Sequence, residues 1–345
     1  MEAAVLLIAF FIFLALGVPI AFSLGLSSLT YIIAFLPRVP LSTVAQQMVG
    51  GVSSFSLTAI PFFILVGAIM EAGGISRRLV EFIKSLVGHR RGGIGMIALF
   101  SSVVFASLSG SAIANVAATG AITIPLMKKN GYPKGLAGAI EASSSSLGAV
   151  IPPSLPFVVY GGLTSLSIGS LFIGGYVPGI LFAAGILVLL MFKARRSDVP
   201  VSEKATPKEM LRAFVHAVPA LLTPFIIMGG IMGGIMTPTE AGAVGGAYAL
   251  IVSGLFYREL KLRDLLKVLL ETAATTGFVM LVMSCASLFG WVMAFENIPT
   301  KVATAIIGVL NTPTLFMIGV VLLMIVVGTF IDTLSALIIL GPVLL

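Results

Sequence analysis

Long apolar runs alternate along the chain with short clusters of charge, proline and glycine. A helix needs about 20 mainly apolar residues to cross a hydrocarbon core about 30 Å thick, so each run is read as a membrane segment. The first, Ala3–Leu16, lacks a basic leader and continues into more apolar sequence. That pattern predicts a first membrane segment, with no cleavable signal peptide. Ser42–Ser76 crosses next, Gly92–Met127 follows, and Lys134–Lys193 holds two crossings. Phe214–Met232, Ala241–Tyr257 and Val268–Phe295 supply one each, with Thr237-Pro238-Thr239 turning between the first two of these. The predicted class is an all-α polytopic membrane protein.

Composition agrees. Hydrophobic residues make up 58% of 345 positions and charged residues 10%, with a mean hydropathy of +1.16. A soluble domain carries roughly 25% charged residues, so the solvent of this chain is lipid. The net charge of +7 comes without any Lys/Arg run interleaved with aromatics, which argues against nucleic acid and for a bias toward the cytoplasmic face. Cys285 is the one cysteine, and His89 and His216 stand far apart, so no disulfide framework or Cys/His metal site is expected.

All twenty Lys/Arg fall between apolar stretches and are expected in loops: Arg38, Arg77–Arg91, Lys128–Lys134, Lys193–Arg212, Arg258–Lys267 and Lys301. Only 193–212 has soluble character, and its six basic residues place it in the cytoplasm. Counting crossings from that anchor leaves Arg38 and Lys301 outside, the other eighteen inside, and the N-terminus periplasmic.

The chain also repeats itself at an offset of 223. Leu65, Gly67, Met70, Ile75 and Ile83 match Leu288, Gly290, Met293, Ile298 and Ile306. Matching loops carry opposite charge density, as in an inverted-topology repeat, a common architecture of secondary transporters. The expected organisation is a first repeat over 1–192, a cytoplasmic linker over 193–212 and a second repeat over 213–345. The first repeat comprises scaffold helices in 1–76, a hairpin over 92–127 and a broken helix over 135–158. Leu345 corresponds to Ile122, inside the first repeat, so the second copy is expected to be truncated and the chain inactive by itself.

Polar residues interrupt the apolar runs at three places. Gly92–Met127 contains Ser107-Leu-Ser109-Gly110-Ser111-Ala-Ile-Ala-Asn115, then Thr119 and Gly120. The arms flanking this stretch, Gly92–Ala106 and Val116–Met127, are about 22 Å and about 18 Å long at 1.5 Å per residue. A re-entrant hairpin with its polar apex at mid-membrane fits these lengths; an ordinary two-helix hairpin with a small-residue turn outside is the alternative. A helix ending at such an apex presents unpaired carbonyls suited to Na⁺, and one starting there presents N–H groups suited to a carboxylate. A second hairpin is expected with its apex at Gly328-Thr329-Phe-Ile-Asp332-Thr333-Leu-Ser335, where Asp332 aligns with Ser109. An ionisable residue at that depth is read as a cation ligand, with a capping role as the alternative. The third interruption is Ser143–Ser146, Gly148 and Ile151-Pro152-Pro153-Ser154, either a helix break or a kink. Glu141, close in sequence to Lys134, is read as a local partner of interfacial charge. No Lys or Arg is placed at the midplane, so an anionic substrate would rely on helix termini, hydroxyls and bound cations.

GGISRRL at Gly73–Leu79, FASLSGSAIANVAATGAITIP at Phe105–Pro125, LGAVIPPS at Leu147–Ser154, LFIGGYVPG at Leu171–Gly179 and GTFIDTLSA at Gly328–Ala336 together resemble a known family. It is the large membrane subunit of the tripartite ATP-independent periplasmic (TRAP) transporters, and the similarity runs over the whole chain. The resemblance implies an elevator-type importer of carboxylates, driven by a Na⁺ gradient and using no other cofactor. It implies two partners, a periplasmic substrate-binding protein and a small four-helix membrane subunit. Ser107, Ser109, Gly110, Ser111 and Asn115 then map to one part of the Na⁺ and substrate region. Gly328, Thr329, Asp332, Thr333 and Ser335 map to the other, with Na⁺ near Ser109, Ser111, Asp332 and Thr333. Gly148, Pro152 and Ser154 join as the adjoining break.

Two other readings stay open. One is a stand-alone carboxylate carrier of related fold, separated by whether uptake needs a binding protein. The other is an intramembrane enzyme, which lacks H-E-x-x-H, G-x-S-x-G and any nameable base for Ser109 or Ser111. A channel suits an inverted repeat with broken helices less well than alternating access does.

Overall fold

Helix is the only regular structure in the described residues of a computed structural model, which are 2–195, 203–298, 312–330 and 333–344. The elements are α1 (Glu2–Ala15), α2 (Ile20–Phe35), α3 (Ser42–Gly50), α4 (Ala59–Ala72), α5 (Ile75–Val87) and α6 (Gly93–Ser109). Next come α7 (Ala112–Asn115), α8 (Ala121–Lys129), α9 (Lys134–Ser145), α10 (Leu155–Thr164) and α11 (Ile168–Arg195). The chain continues through α12 (Pro207–Met232), α13 (Pro238–Ile251), α14 (Leu262–Phe295), α15 (Pro313–Phe330) and α16 (Thr333–Leu344). Among the described residues, five helical stretches are long and apolar enough to cross a bilayer: Phe55–Ala72, Ile168–Ala194, Pro207–Met232, Pro238–Phe256 and Leu262–Phe295. Lys301 and Ile306, used for the repeat, and Asp332 lie outside the described residues.

The helices gather into two compact units. One takes residues 1–57, 162–165 and 275–345; the other takes 58–161 and 166–274. These units follow packing, and their bounds differ from those of the expected repeats, 1–192 and 213–345.

In the first unit α1 packs on α2. The Phe10 ring lies 5.7 Å from Phe289, and Ser284 Oγ donates to the Met48 carbonyl at 2.9 Å. Ile8, Phe11 and Ile12 face outward on α1, and Leu16 is exposed in the turn that follows it. Such a row is an aggregation hazard in water and an ordinary surface in lipid.

The second unit is built around α6, which touches α4, α5 and α9. Helices α4 and α13 approach closely because α13 offers glycine where bulk would clash. A Cβ on Gly242 would sit 2.9 Å from Phe62 Cβ, and one on Gly245 would sit 2.7 Å from Ile227 of α12. Small residues are the usual means of bringing membrane helices together, since lipid gives no hydrophobic drive between them. Helices α12 and α13 each begin with a capping box, Thr206 with Glu209 and Thr237 with Glu240, followed by proline at the first helical position.

Four clusters of charge expected in loops hold helical residues; in one of them Lys128 and Lys129 end α8 and Lys134 opens α9. Arg77, Arg78 and Lys84 belong to α5, because Ile75, Leu79, Val80 and Ile83 recur at helical spacing and bury one face against α6 and α12. Lys208 and Arg212 extend α12, whose capping box starts it at Pro207. Arg263 and Lys267 lie in the first turns of α14, a helix of 34 residues. At 1.5 Å per residue that is about 51 Å, longer than a bilayer core, so its charged beginning can stand outside the lipid.

Candidate functional site

Helix α6 stops at Ser109 because Gly110 turns the backbone to φ +62°, a left-handed conformation that glycine adopts without strain. Ser111 is extended at φ −133° and caps the next helix, its Oγ accepting from Ala114 N at 3.4 Å. The hairpin apex is therefore two residues long, Gly110 and Ser111. Ser109 is 4% exposed, and its Oγ bridges the turn by donating to the Ser111 carbonyl at 3.3 Å and accepting from Ser111 N at 3.4 Å. Ser107 turns back on its own helix and donates to the Val104 carbonyl at 2.7 Å. The arms are longer than expected from sequence: α6 has 17 residues, and α7, a π-helical turn at Val116–Gly120 and α8 run on without interruption to Lys129.

The third interruption meets this apex. Helix α9 ends at Ser145, a 3₁₀ turn covers Ser146–Ala149, and the Pro152–Pro153 peptide bond is cis before α10 begins at Leu155. The interruption is a full break, not a kink. The Leu155 N–H donates to the Gly110 carbonyl at 2.9 Å. A Cβ on Gly148 would stand 2.7 Å from the Ser111 carbonyl and 3.0 Å from Ala112 N, so only glycine lets the two backbones come this close. Ser154 is 1% exposed and donates to the Ala149 carbonyl at 2.6 Å, closing the break on itself. Ser109, Gly110, Ser111, Gly148, Pro152 and Ser154 thus belong to one knot of interrupted backbone.

Asn115 sits one helical turn away and is fully buried. Its amide donates to the Ser102 carbonyl on α6 at 3.0 Å and to the Ser145 carbonyl on α9 at 3.3 Å. It ties three helices together, and its Nδ2 is directed at backbone.

The expected second apex lies along residues of the first unit, and 331–332 within it are outside the described residues. Gly328 and Thr329 lie in the last turn of α15, where Thr329 donates to the Ile325 carbonyl at 2.8 Å. Thr333 opens α16, and Ser335 is 1% exposed. Asp332 lies outside the described residues.

Glu141 is misplaced by a reading of sequence proximity. It is 1% exposed, and no Lys or Arg partners it among the described residues. Instead Thr119 and Thr123 of the hairpin's trailing arm and Ser145 of its own helix direct hydroxyls at its carboxylate. The sequence holds one usable sign of this: Glu141 is the only charged residue between Lys134 and Lys193.

The apex offers neutral oxygen donors, hydroxyl and carbonyl, and no basic side chain among the described residues bonds to them. That donor set fits a monovalent hard cation. Among the described residues no group of three His, Cys, Asp or Glu could hold another metal ion.

Residues 7–345 match the family described as tripartite ATP-independent periplasmic transporter, DctM component. The chain is 38% identical over 332 residues to the 2,3-diketo-L-gulonate TRAP transporter large permease protein of Escherichia coli K12, covering 96% of this chain and 78% of that protein. It is 37% identical over 328 residues to the sialic acid TRAP transporter large permease protein of Vibrio cholerae, covering 95% and 77%. It is 35% identical over 342 residues to the C4-dicarboxylate TRAP transporter large permease protein of Rhodobacter capsulatus, covering 95% and 78%.

Proposed function

Since the chain belongs to the tripartite ATP-independent periplasmic transporter family, as its DctM or large permease component, we propose that it imports a small carboxylate by coupling entry to Na⁺. It is a multi-pass inner-membrane transport component and not an enzyme. The substrates named for the three relatives, a diketogulonate, sialic acid and C4-dicarboxylates, share a carboxylate, which is the basis for the substrate class. A soluble periplasmic binding protein delivers the substrate, and a small four-helix subunit accompanies the permease in the membrane.

The observation that carries the coupling is the meeting of two backbone interruptions at Gly110 and Leu155. Helix ends have carbonyl and N–H groups without intrahelical partners, and irregular backbone in a membrane is tolerated where it lines a cavity or is buried in protein. Carbonyls and the hydroxyls of Ser109 and Ser111 hold Na⁺, and the bound cation supplies the positive charge that the side chains lack for an anion. Gly328, Thr329, Asp332, Thr333 and Ser335 form the second share of the ion and substrate region. Inverted repeats and an elevator motion of the hairpins complete the reading.

The test is uptake of a radiolabelled carboxylate panel into proteoliposomes holding the permease at the full length of its relatives, the small subunit and the binding protein, with and without an inward Na⁺ gradient. Accumulation that needs both Na⁺ and the binding protein is expected. Ser109→Ala should raise the half-saturating Na⁺ concentration by on the order of tenfold, the effect of losing about one ligand-strength hydrogen-bonding group. Uptake that ignores Na⁺ sinks the ion role of the apex, and uptake that ignores the binding protein favours a stand-alone carrier.

A further inference from the structure

Glu141 lies away from the apex, yet its surroundings are as fully specified as the apex itself. Thr119 Oγ1 is 2.5 Å from Glu141 Oε1, Ser145 Oγ is 3.0 Å from the same oxygen, and Thr123 Oγ1 bonds Oε2. Thr119 and Thr123 are four residues apart and so share one face of the trailing arm. Thr119 stands inside the π-helical turn, and Gly120, the last residue of that turn, leaves room for the carboxylate's stem: a Cβ there would be 3.1 Å from Glu141 Cγ. Ser102 Oγ of the leading arm lies 3.2 Å from Thr119 Oγ1. The network therefore connects both arms of the hairpin to α9, whose far end leads into the break that clasps the apex.

A cation is not the occupant of this spot. The hydroxyls already reach the carboxylate directly, which leaves no space between donor and acceptor for an ion. A local ion pair is ruled out by the absence of a basic partner among the described residues.

We propose that Glu141 is a positioning residue: by accepting from Thr119 and Thr123 it fixes the trailing arm against α9, and so presets the Ser109–Ser111 turn for its ion. Hydrogen bonding, not charge, is the active property. The functional half of this statement rests on the Na⁺ reading above, while the structural half stands by itself.

Two readouts on the assembled transporter separate them. Hydrogen–deuterium exchange of residues 105–123 reports on the turn with no reference to transport. The half-saturating Na⁺ concentration for uptake reports on its use. For Glu141→Ala, exchange in this stretch should quicken by roughly tenfold and half-saturating Na⁺ should rise by roughly tenfold, with little change in maximal rate. Glu141→Gln keeps an acceptor and adds a donor that a threonine hydroxyl can accept, so it should restore both readouts to near wild type. Thr123→Val, a gentler change than removing the carboxylate, should move both in the direction of Glu141→Ala. Unchanged exchange in Glu141→Ala and Thr123→Val overturns the proposal, and so does a Glu141→Gln protein that behaves like Glu141→Ala. A wild-type transporter indifferent to Na⁺ removes the coupling reading and leaves exchange to decide Glu141.

Discussion

A single backbone angle decides the apex. Gly110→Ala forces alanine into the left-handed region, at a cost of about 1–2 kcal/mol, and sets a Cβ 2.7 Å from the Pro153 carbonyl. The turn has to shift, so uptake should fall to background while the protein still inserts and purifies, as measured by transport against membrane content. Ser154→Ala removes only the bond to the Ala149 carbonyl. It should lower thermal stability by about 1 kcal/mol and leave uptake measurable. Residues of this kind are visible in sequence because hydroxyls and glycine stand out in an apolar run. Glu141 is different: its distance from Lys134 along the chain says nothing about where a helix points it. Only the packed helices show that it faces Thr119 and Thr123.

Among elements, α5 and the segment after α13 are joined by a cluster of charges. Arg77 and Arg78 both donate to Glu259 Oε1, at 2.7 and 2.8 Å, and the Arg78 guanidinium lies 3.8 Å from the Tyr257 ring centroid. The two arginines are not equivalent, since the side chain of Arg77 is 60% exposed and that of Arg78 15%. Arg77→Gln should therefore change stability by less than about 1 kcal/mol, as for most exposed pairs. Arg78→Gln loses the ring contact as well and should cost about 1–2 kcal/mol. Thermal unfolding of the purified protein in detergent, at low and high salt, compares them; equal losses would show that burial is not what separates the pair. The amphipathic helix that carries both arginines is legible once Ile75, Leu79 and Ile83 are read by period, and is lost when charges are simply counted as loop. The break between α9 and α10 is legible from its prolines and serines. The π-helical turn at Val116–Gly120 is not, because nothing in its composition separates it from an ordinary turn of helix.

At the scale of the molecule, orientation is open to direct measurement. Cys285 is the only cysteine and is buried, so Cys285→Ser gives a clean background for labelling. A membrane-impermeant maleimide should reach Lys204→Cys from the cytoplasmic side alone and Arg38→Cys from the periplasmic side alone; the reverse pattern would invert the assigned topology. The clasp on the hairpin also has a bearing on how the protein is made. Gly110 is bonded by Leu155, so the apex leaves the ribosome before its own fastener does. At about 5–20 residues per second the interval is roughly 2–9 s. During that time a polar turn must wait in the insertion machinery with a carbonyl unmet by protein. Slowing synthesis between residues 111 and 155 should prolong that exposed interval, and a nascent chain arrested before Leu155 should keep its hairpin open to water.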